Sequence, residues 1–254
     1  MRPLETIGPE STLTEVLESV SQAGRIFEVL EIDRCCAEGA SVAKAAEAAG
    51  VDPDELLELL HDDDSPLHVA ATPPGFADSS LRSQIEHIVG VHHRYTRRQL
   101  LRLDRRMSRL RSGHRRTVAW LDEVAGLLQE LIDDLIPHMA REERYLFPYC
   151  ISLEEEMKPD VRIVVPLFGN LDYPLASITD DHADDSRRLM EMRRLTSGFQ
   201  PEPDSCRTLR RFLEGLAQLE RAVQEHIRIE NRIVFPKAKA RERAARNESA
   251  PGPA

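Results

Sequence analysis

Two stretches of the chain repeat one pattern. HMAREERYLFP, from His138, and HIRIENRIVFP, from His226, both have the form H-x-x-x-E-x-x-x-x-F-P. A histidine and a glutamate four apart lie on one helix face about one turn apart, so each stretch offers an imidazole nitrogen and a carboxylate to the same side. His138 with Glu142 and His226 with Glu230 supply two of each. Two further histidines, His93 and His182, interrupt the apolar stripes of two other periodic segments, and the four histidines follow one another at intervals of 45, 44 and 44 residues. An isolated H-x-x-x-E is usually a solvated surface pair. An imidazole placed on a buried stripe instead loses a few kcal/mol of hydration unless something binds it, and four such placements call for one shared explanation. Four neutral imidazoles and two carboxylates suit two iron ions, each taking two histidines, with both glutamates bridging and positions left open for solvent or a small molecule. Zinc would favour thiolates or a closed four-ligand set, and ferritin-like di-iron proteins carry Glu-x-x-His rather than His-x-x-x-Glu.

Four long periodic segments must carry these donors, with apolar residues at alternating steps of three and four. The first stripe runs Ile85, Val89, His93, Thr96, Leu100, Leu103, Met107, Leu110. The second runs Leu121, Val124, Leu128, Leu131, Leu135, His138, Glu142, Tyr145 and on to Tyr149. The third is Leu175, Ile178, His182, Asp185, Leu189, Met192, and the fourth is Leu209, Phe212, Leu216, Leu219, Val223, His226, Glu230, Ile233. The sequence therefore predicts an all-α protein, an antiparallel up-down four-helix bundle over residues 79–240, in which near-equal spacing lets the histidines meet in one layer. Connections are mostly short. The exception is ISLEEEMKPDVRIVVPLFGNLDYP from Ile151, whose prolines forbid a continuous helix.

Ahead of the bundle, residues 1–62 read as a small helical domain, with one helix opened by Ser41 and closed near Gly50 and another begun by Asp52 and Pro53. HDDDSPLHVAATPPGFAD mixes an acidic run with prolines and has no periodicity, so residues 63–78 read as a linker. The polar, Pro-terminated tail 241–254 is expected to be disordered.

A formal charge of −10 disfavours nucleic acid as the main partner. The arginine-rich run HHRYTRRQLLRLDRRMSRLRSGHRR keeps its apolar stripe intact, so its arginines cover the wet face. SVAKAAEAAGVDPDELLELL has the look of a helix-turn-helix, yet Asp54, Glu55 and Glu58 would repel phosphate. Neither a signal peptide nor an apolar run of about 20 residues is visible, which points away from membranes and to the cytoplasm. Four cysteines without scaffold spacing read as reduced thiols.

Asp134, one turn before His138, and Asp181, directly before His182, are candidates to orient an imidazole from behind or relay a proton. His92 is expected to point about 100° away from His93, and it and His87 read as surface or packing residues. Pro137 is expected to kink the second helix. Cys150 and Cys206 read as inert packing thiols. Cys35 and Cys36 cannot pair with each other without a strained ring, so the natural counterpart is a partner thiol, a metal or a second subunit, the last giving a homodimer.

IDRCCAEG, EHIVGVHHRYTRRQL, HMAREERYLFP, DDHADDSRRL and EHIRIENRIVFP together resemble hemerythrin-like proteins, and more closely the repair-of-iron-centres family of di-iron iron–sulfur cluster repair proteins, over nearly the whole length. The resemblance implies that His93, His138, His182 and His226 are imidazole ligands and Glu142 and Glu230 bridging carboxylates of two non-haem irons that also share an oxo or hydroxo bridge. It further implies redox use of Cys35 and Cys36, and repair of iron–sulfur proteins damaged by nitric oxide or oxidants, by iron donation or by reducing nitric oxide or peroxide. A hemerythrin-like carrier or sensor of oxygen or nitric oxide is the other reading. The chain departs from the family pattern at Ala37 and Glu38, where a glycine is usual after the cysteine pair, and at Asp181, where glutamate is general. His114 falls where the family has a further histidine, an accessory ligand candidate.

Overall fold

A computed structural model describes residues 7–20, 23–30, 32, 39–61, 72–114, 118–155 and 169–248. Cys35 and Cys36 lie outside the described residues. The protein is all-α: among the described residues the sole β contact is an isolated bridge between Thr12 and Ser41.

The described residues cluster into two compact units. One gathers those of Met1–Leu67, Arg97–Ile136 and Pro201–Gly215, the other those of His68–Thr96, Pro137–Gln200 and Leu216–Ala254. One boundary, between Leu67 and His68, falls within the 63–78 stretch, while those after Thr96, Ile136 and Gly215 fall inside the span predicted as the bundle. The first unit contains α1 (Leu13–Ser19), α2 (Ala23–Val29), α3 (Val42–Ala49) and α4 (Pro53–His61). Thr12 and Glu15 cap α1 reciprocally. Ser41 accepts from Lys44 N to open α3, and Gly50 closes it at φ 71°, a left-handed conformation that glycine adopts without a Cβ clash.

Four long helical runs carry the donors. The first is α5 (Leu81–His87), a π segment π1 (Ile88–His93) and α6 (Arg94–His114). The second is α7 (Leu121–Arg141), π2 (Glu142–Leu146) and α8 (Phe147–Glu155). The third is α9 (Asp172–Leu195), and the fourth is α10 (Arg207–Ile229), π3 (Glu230–Val234) and α11 (Phe235–Glu248). Backbone angles stay right-handed helical across the joints at Arg141, Phe147, Ile229 and Phe235, so these runs are continuous. No helix among the described residues is long and apolar enough to cross a membrane.

The predicted stripes are buried through most of their length, including all six positions of the third. Within the first unit, α6 and α10 approach closely at Gly215. Gln99 Nε2 donates to its carbonyl over 2.8 Å, and a Cβ there would stand 2.9 Å from that nitrogen and 3.0 Å from Leu103 Cδ2. In the second unit, Ile85, Ile88, Leu146, Phe147, Leu175 and Val234 belong to one apolar core.

Three expectations fail locally, for physical reasons. Tyr145, assigned to the second stripe, is 58% exposed, while Leu146 is buried. Ile233 is likewise only partly buried, and its neighbour Val234 is fully so. In each case a π segment adds one residue to the turn and shifts the inward register by one. Pro148 and Pro236 follow these segments. A proline ring clashes with the carbonyl four residues back in a regular helix, and the wider turn relieves that clash. The other two concern helix ends. The second run extends to Glu155, past Ile151, and α11 to Glu248, past Arg241, because ISLEEE and RERAARNE are rich in good helix formers. Pro137, expected to kink the second helix, lies inside α7, which runs on to Arg141.

The register shift predicts unequal neighbours. Leu146→Ala is expected to cost about 2–5 kcal/mol in chemical denaturation, whereas Tyr145→Ser should stay within about 0.5 kcal/mol. The reverse ranking would restore the regular-helix register.

Candidate metal centre

The second unit brings six donors together, and all are sealed from solvent. His93 comes from π1, His138 from the last turn of α7, Glu142 from the start of π2, His182 from α9, His226 from the end of α10 and Glu230 from the start of π3. The imidazoles stand in two pairs. Nε2 of His93 lies 3.3 Å from Nε2 of His226, and Nε2 of His138 lies 3.1 Å from Nε2 of His182. Two nitrogens each about 2.1 Å from one ion, at an angle of about 90–110°, would stand about 3.0–3.4 Å apart. The pairs therefore match two ion positions.

Both carboxylates reach both pairs. Glu230 Oε1 is 2.9 Å from His226 Nε2 and 3.6 Å from His93 Nε2, while its Oε2 is 3.2 Å from His182 Nε2. Glu142 Oε2 is 3.5 Å from His93 Nε2 and 3.5 Å from His138 Nε2. These approaches are close but are not aligned as hydrogen bonds, and all four carboxylate oxygens are buried without a hydrogen-bond partner. Sealing two carboxylates away unpartnered costs several kcal/mol each unless a positive charge sits among them. Orphaned oxygens beside paired imidazole nitrogens are the signature of a cation site, and His93, Glu142, His226 and Glu230, with His138, Glu142 and His182, form two groups able to hold a metal.

The sequence model of the hemerythrin HHE cation-binding domain matches residues 84–238, more than half of the chain. The chain belongs to this family. The hemerythrin-type match spans all six donors, so cation binding is its shared property. The chain is also 28% identical over 232 residues to an iron–sulfur cluster repair protein, ScdA, of Staphylococcus haemolyticus, covering 90% of this chain and 97% of that relative. It is 26% identical over 232 residues to the iron–sulfur cluster repair protein YtfE of Pectobacterium atrosepticum, covering 90% and 96%.

Behind the donors lies a second set of contacts that fixes ring orientation. Asp181 does not orient His182, which it precedes. Its Oδ2 sits 3.2 Å from Nδ1 of His138 on the neighbouring run and also accepts from Arg141 Nη2 over 2.9 Å. Asp134 is exposed on α7. Glu143, which the sequence reading missed, lies 2.6 Å from His93 Nδ1 through Oε1. The doublet Glu142-Glu143 is the available signal, since adjacent residues point about 100° apart and one carboxylate can face the axis while the other faces the next helix. Asn231 lies 3.5 Å from His182 Nδ1. Phe147, the phenylalanine of one F-P echo, stacks on His93 at 5.7 Å between ring centres. His92, expected at the surface or in packing, is buried. His114 ends α6, about six turns of helix beyond His93, and its side chain is outside the described ones. Cys150 is buried, and burial, with the Glu142 charge, pushes its thiol far above the usual range, consistent with an inert packing thiol. Cys206 instead accepts from Leu209 N at the start of α10.

Glu143→Ala frees the His93 ring, so metal affinity is expected to fall about 10–100-fold, as read by competition with a chelator. Unchanged affinity would reduce Glu143 to a bystander.

Electrostatics make uptake pH-dependent. In the metal-free protein burial alone would lower the pKa of His93, but the hydrogen bond to Glu143 and the Glu230 and Glu142 carboxylates carry it up to about 9. His138 likewise overcomes its burial through Glu142, Glu230 and Asp181 and rises to about 9. His226 is pushed down by burial, against the pull of Glu230. Glu230 is opposed by burial but held ionised by His226, His182 and His93, well below the carboxylate range. Raised histidine values mean that proton binding stabilises the metal-free fold fully below about pH 6.5 and that this contribution fades as pH rises through about 9. A metal must displace the same protons. Apparent affinity should therefore increase with pH until about 9, and pH-independent uptake would contradict the protonated pair.

Proposed function

We propose that His93, His138, His182 and His226, with Glu142 and Glu230 bridging, hold two iron ions, and that the chain repairs damaged iron–sulfur clusters in the cytoplasm. The observation that carries this reading is the set of four buried, unpartnered carboxylate oxygens facing two imidazole pairs. Nitrogen and carboxylate donors without a thiolate suit iron, and they release it more readily than a sulfur cage would. The repair function rests on relatives named as iron–sulfur cluster repair proteins, which align over 90% of this chain, beyond the bundle.

Bound iron would supply redox capacity and exchangeable positions for a small molecule or for transfer to a client. The chain's residues do the rest. Glu142 and Glu230 would hold the ions and offset their charge in a site closed to water. Glu143 and Asp181 hold His93 and His138 from behind and give each displaced proton a carboxylate to move toward. Core residues around Phe147 exclude solvent from the His93 side. Cys35 and Cys36 would act at the exchange step, passing iron or electrons or joining two chains. Damaged iron–sulfur proteins are the partners this reading requires, with nitric oxide or oxygen as small ligands.

Anaerobic incubation of the iron-loaded protein with an iron–sulfur enzyme inactivated by nitric oxide tests the proposal. Restored enzyme activity, lost in Glu142→Ala, supports it. Reversible binding of oxygen or nitric oxide without any restoration would favour the carrier or sensor reading.

A further inference from the structure

Two histidines outside the six-donor cluster are also arranged as a pair. His87 ends α5 and His92 lies in π1. In a regular α-helix residues five apart diverge by about 140°, but the i→i+5 turn of a π segment brings position 92 back over position 87. Their rings meet edge to face with centres 5.3 Å apart, close to the 4.8 Å of each pair in the main cluster. Nε2 of His87 and both ring nitrogens of His92 are buried without a hydrogen-bond partner. Three orphaned imidazole nitrogens in one patch are costly, and in a native fold they imply an ion or water among them.

The surroundings favour a cation. Glu225 on α10 acts on His92 as a nearby negative charge, and it is fixed by Arg228 over 2.7 Å and by the Thr72 hydroxyl over 3.1 Å. His87 is half-buried with Phe76 edge-on at 5.1 Å, while His92 is sealed and close enough to His93 and His226 to feel their charge. The pair thus leads from the partly exposed rim toward the main cluster. Imidazole nitrogens select ferrous iron, cobalt or zinc over magnesium or calcium.

We propose that His87 and His92 form an additional binding site for one divalent transition-metal ion, through which iron passes to and from the six-donor centre. The binding site stands on the pair itself, and the transit role rests on the reading of the six donors as an iron centre.

Anaerobic titration of the metal-free, full-length protein with ferrous iron, with bound metal counted and loading followed in time, tests both parts. Expected are two tight equivalents and a third, weaker one. His92→Phe, which preserves the buried ring, should lose the third, keep the first two and load them at least about tenfold more slowly when iron is scarce, and His87→Leu should do the same. Saturation of the parent at two equivalents, with His92→Phe loading at the parent rate, overturns the proposal and leaves water between the rings. A third equivalent lost in His92→Phe with unchanged loading keeps the site and overturns the transit role. A single weak equivalent in the parent, lost in His92→Phe, keeps the pair and sinks the six-donor reading. No uptake at all sinks both.

Discussion

Glu230→Ala is expected to lower bound iron from about two ions per chain to one or none. Glu230 is the donor that faces both imidazole pairs most closely, at 2.9 Å from His226 and 3.2 Å from His182. Its loss removes one of the two buried negative charges that offset the cations, so the deficit should exceed the 10–100-fold that loss of an outer contact costs. Glu142→Ala should act in the same direction, because Glu142 stands 3.5 Å from both His93 and His138. The measurement is metal analysis of protein prepared anaerobically, with circular dichroism to check that the helices persist. Full retention of two ions by a helical Glu230→Ala protein would remove that carboxylate from the site.

Stripping the metal is expected to destabilise the fold about as much as emptying a large core position. A ligand bound only by the folded state stabilises it by about 4 kcal/mol when its free concentration is a thousand times its dissociation constant. For a chain of this size that corresponds to roughly 10 °C in melting temperature. Chelation should therefore lower the melting temperature by about that much, and ferrous iron should restore it where magnesium does not. The effect follows from the orphaned oxygens of Glu142 and Glu230, for which the protonated His93 and His138 of the metal-free protein are a weaker counter-charge than two metal ions. Equal melting temperatures with and without metal would mean that the fold does not depend on filling the cluster.

How far the sequence reaches depends on which residue carries the argument. His182 and its stripe were legible because α9 is a regular helix, and its apolar period places Leu175, Ile178, Asp185, Leu189 and Met192 inward together. The two H-x-x-x-E echoes were legible for the same reason, since each pair lies at or before the point where the regular turn ends. Beyond Glu142 and Glu230 the period changes, so Tyr145 and Ile233 were misassigned while Leu146 and Val234 took the inward positions. A π turn leaves no simple mark in hydrophobic spacing, although Phe-Pro shortly after it is a clue. The same effect turned His92 inward beside His87.

The outer contacts were the least legible. Asp181 and Glu143 each serve an imidazole on a different helical run, and only the packing of one run against another decides that Asp181 meets His138 rather than His182. Nearness in sequence suggested Asp134, which the helix turns to the exposed side. Fold class and the six donors are local, periodic properties, whereas these partners are set by rotation about the helix axis.

X-ray absorption at the iron edge of the anaerobically purified protein probes the di-iron assignment most directly. The account predicts nitrogen and oxygen neighbours around every iron and a second iron about 3–4 Å away. An isolated iron with no iron neighbour, or one surrounded by sulfur, would contradict it.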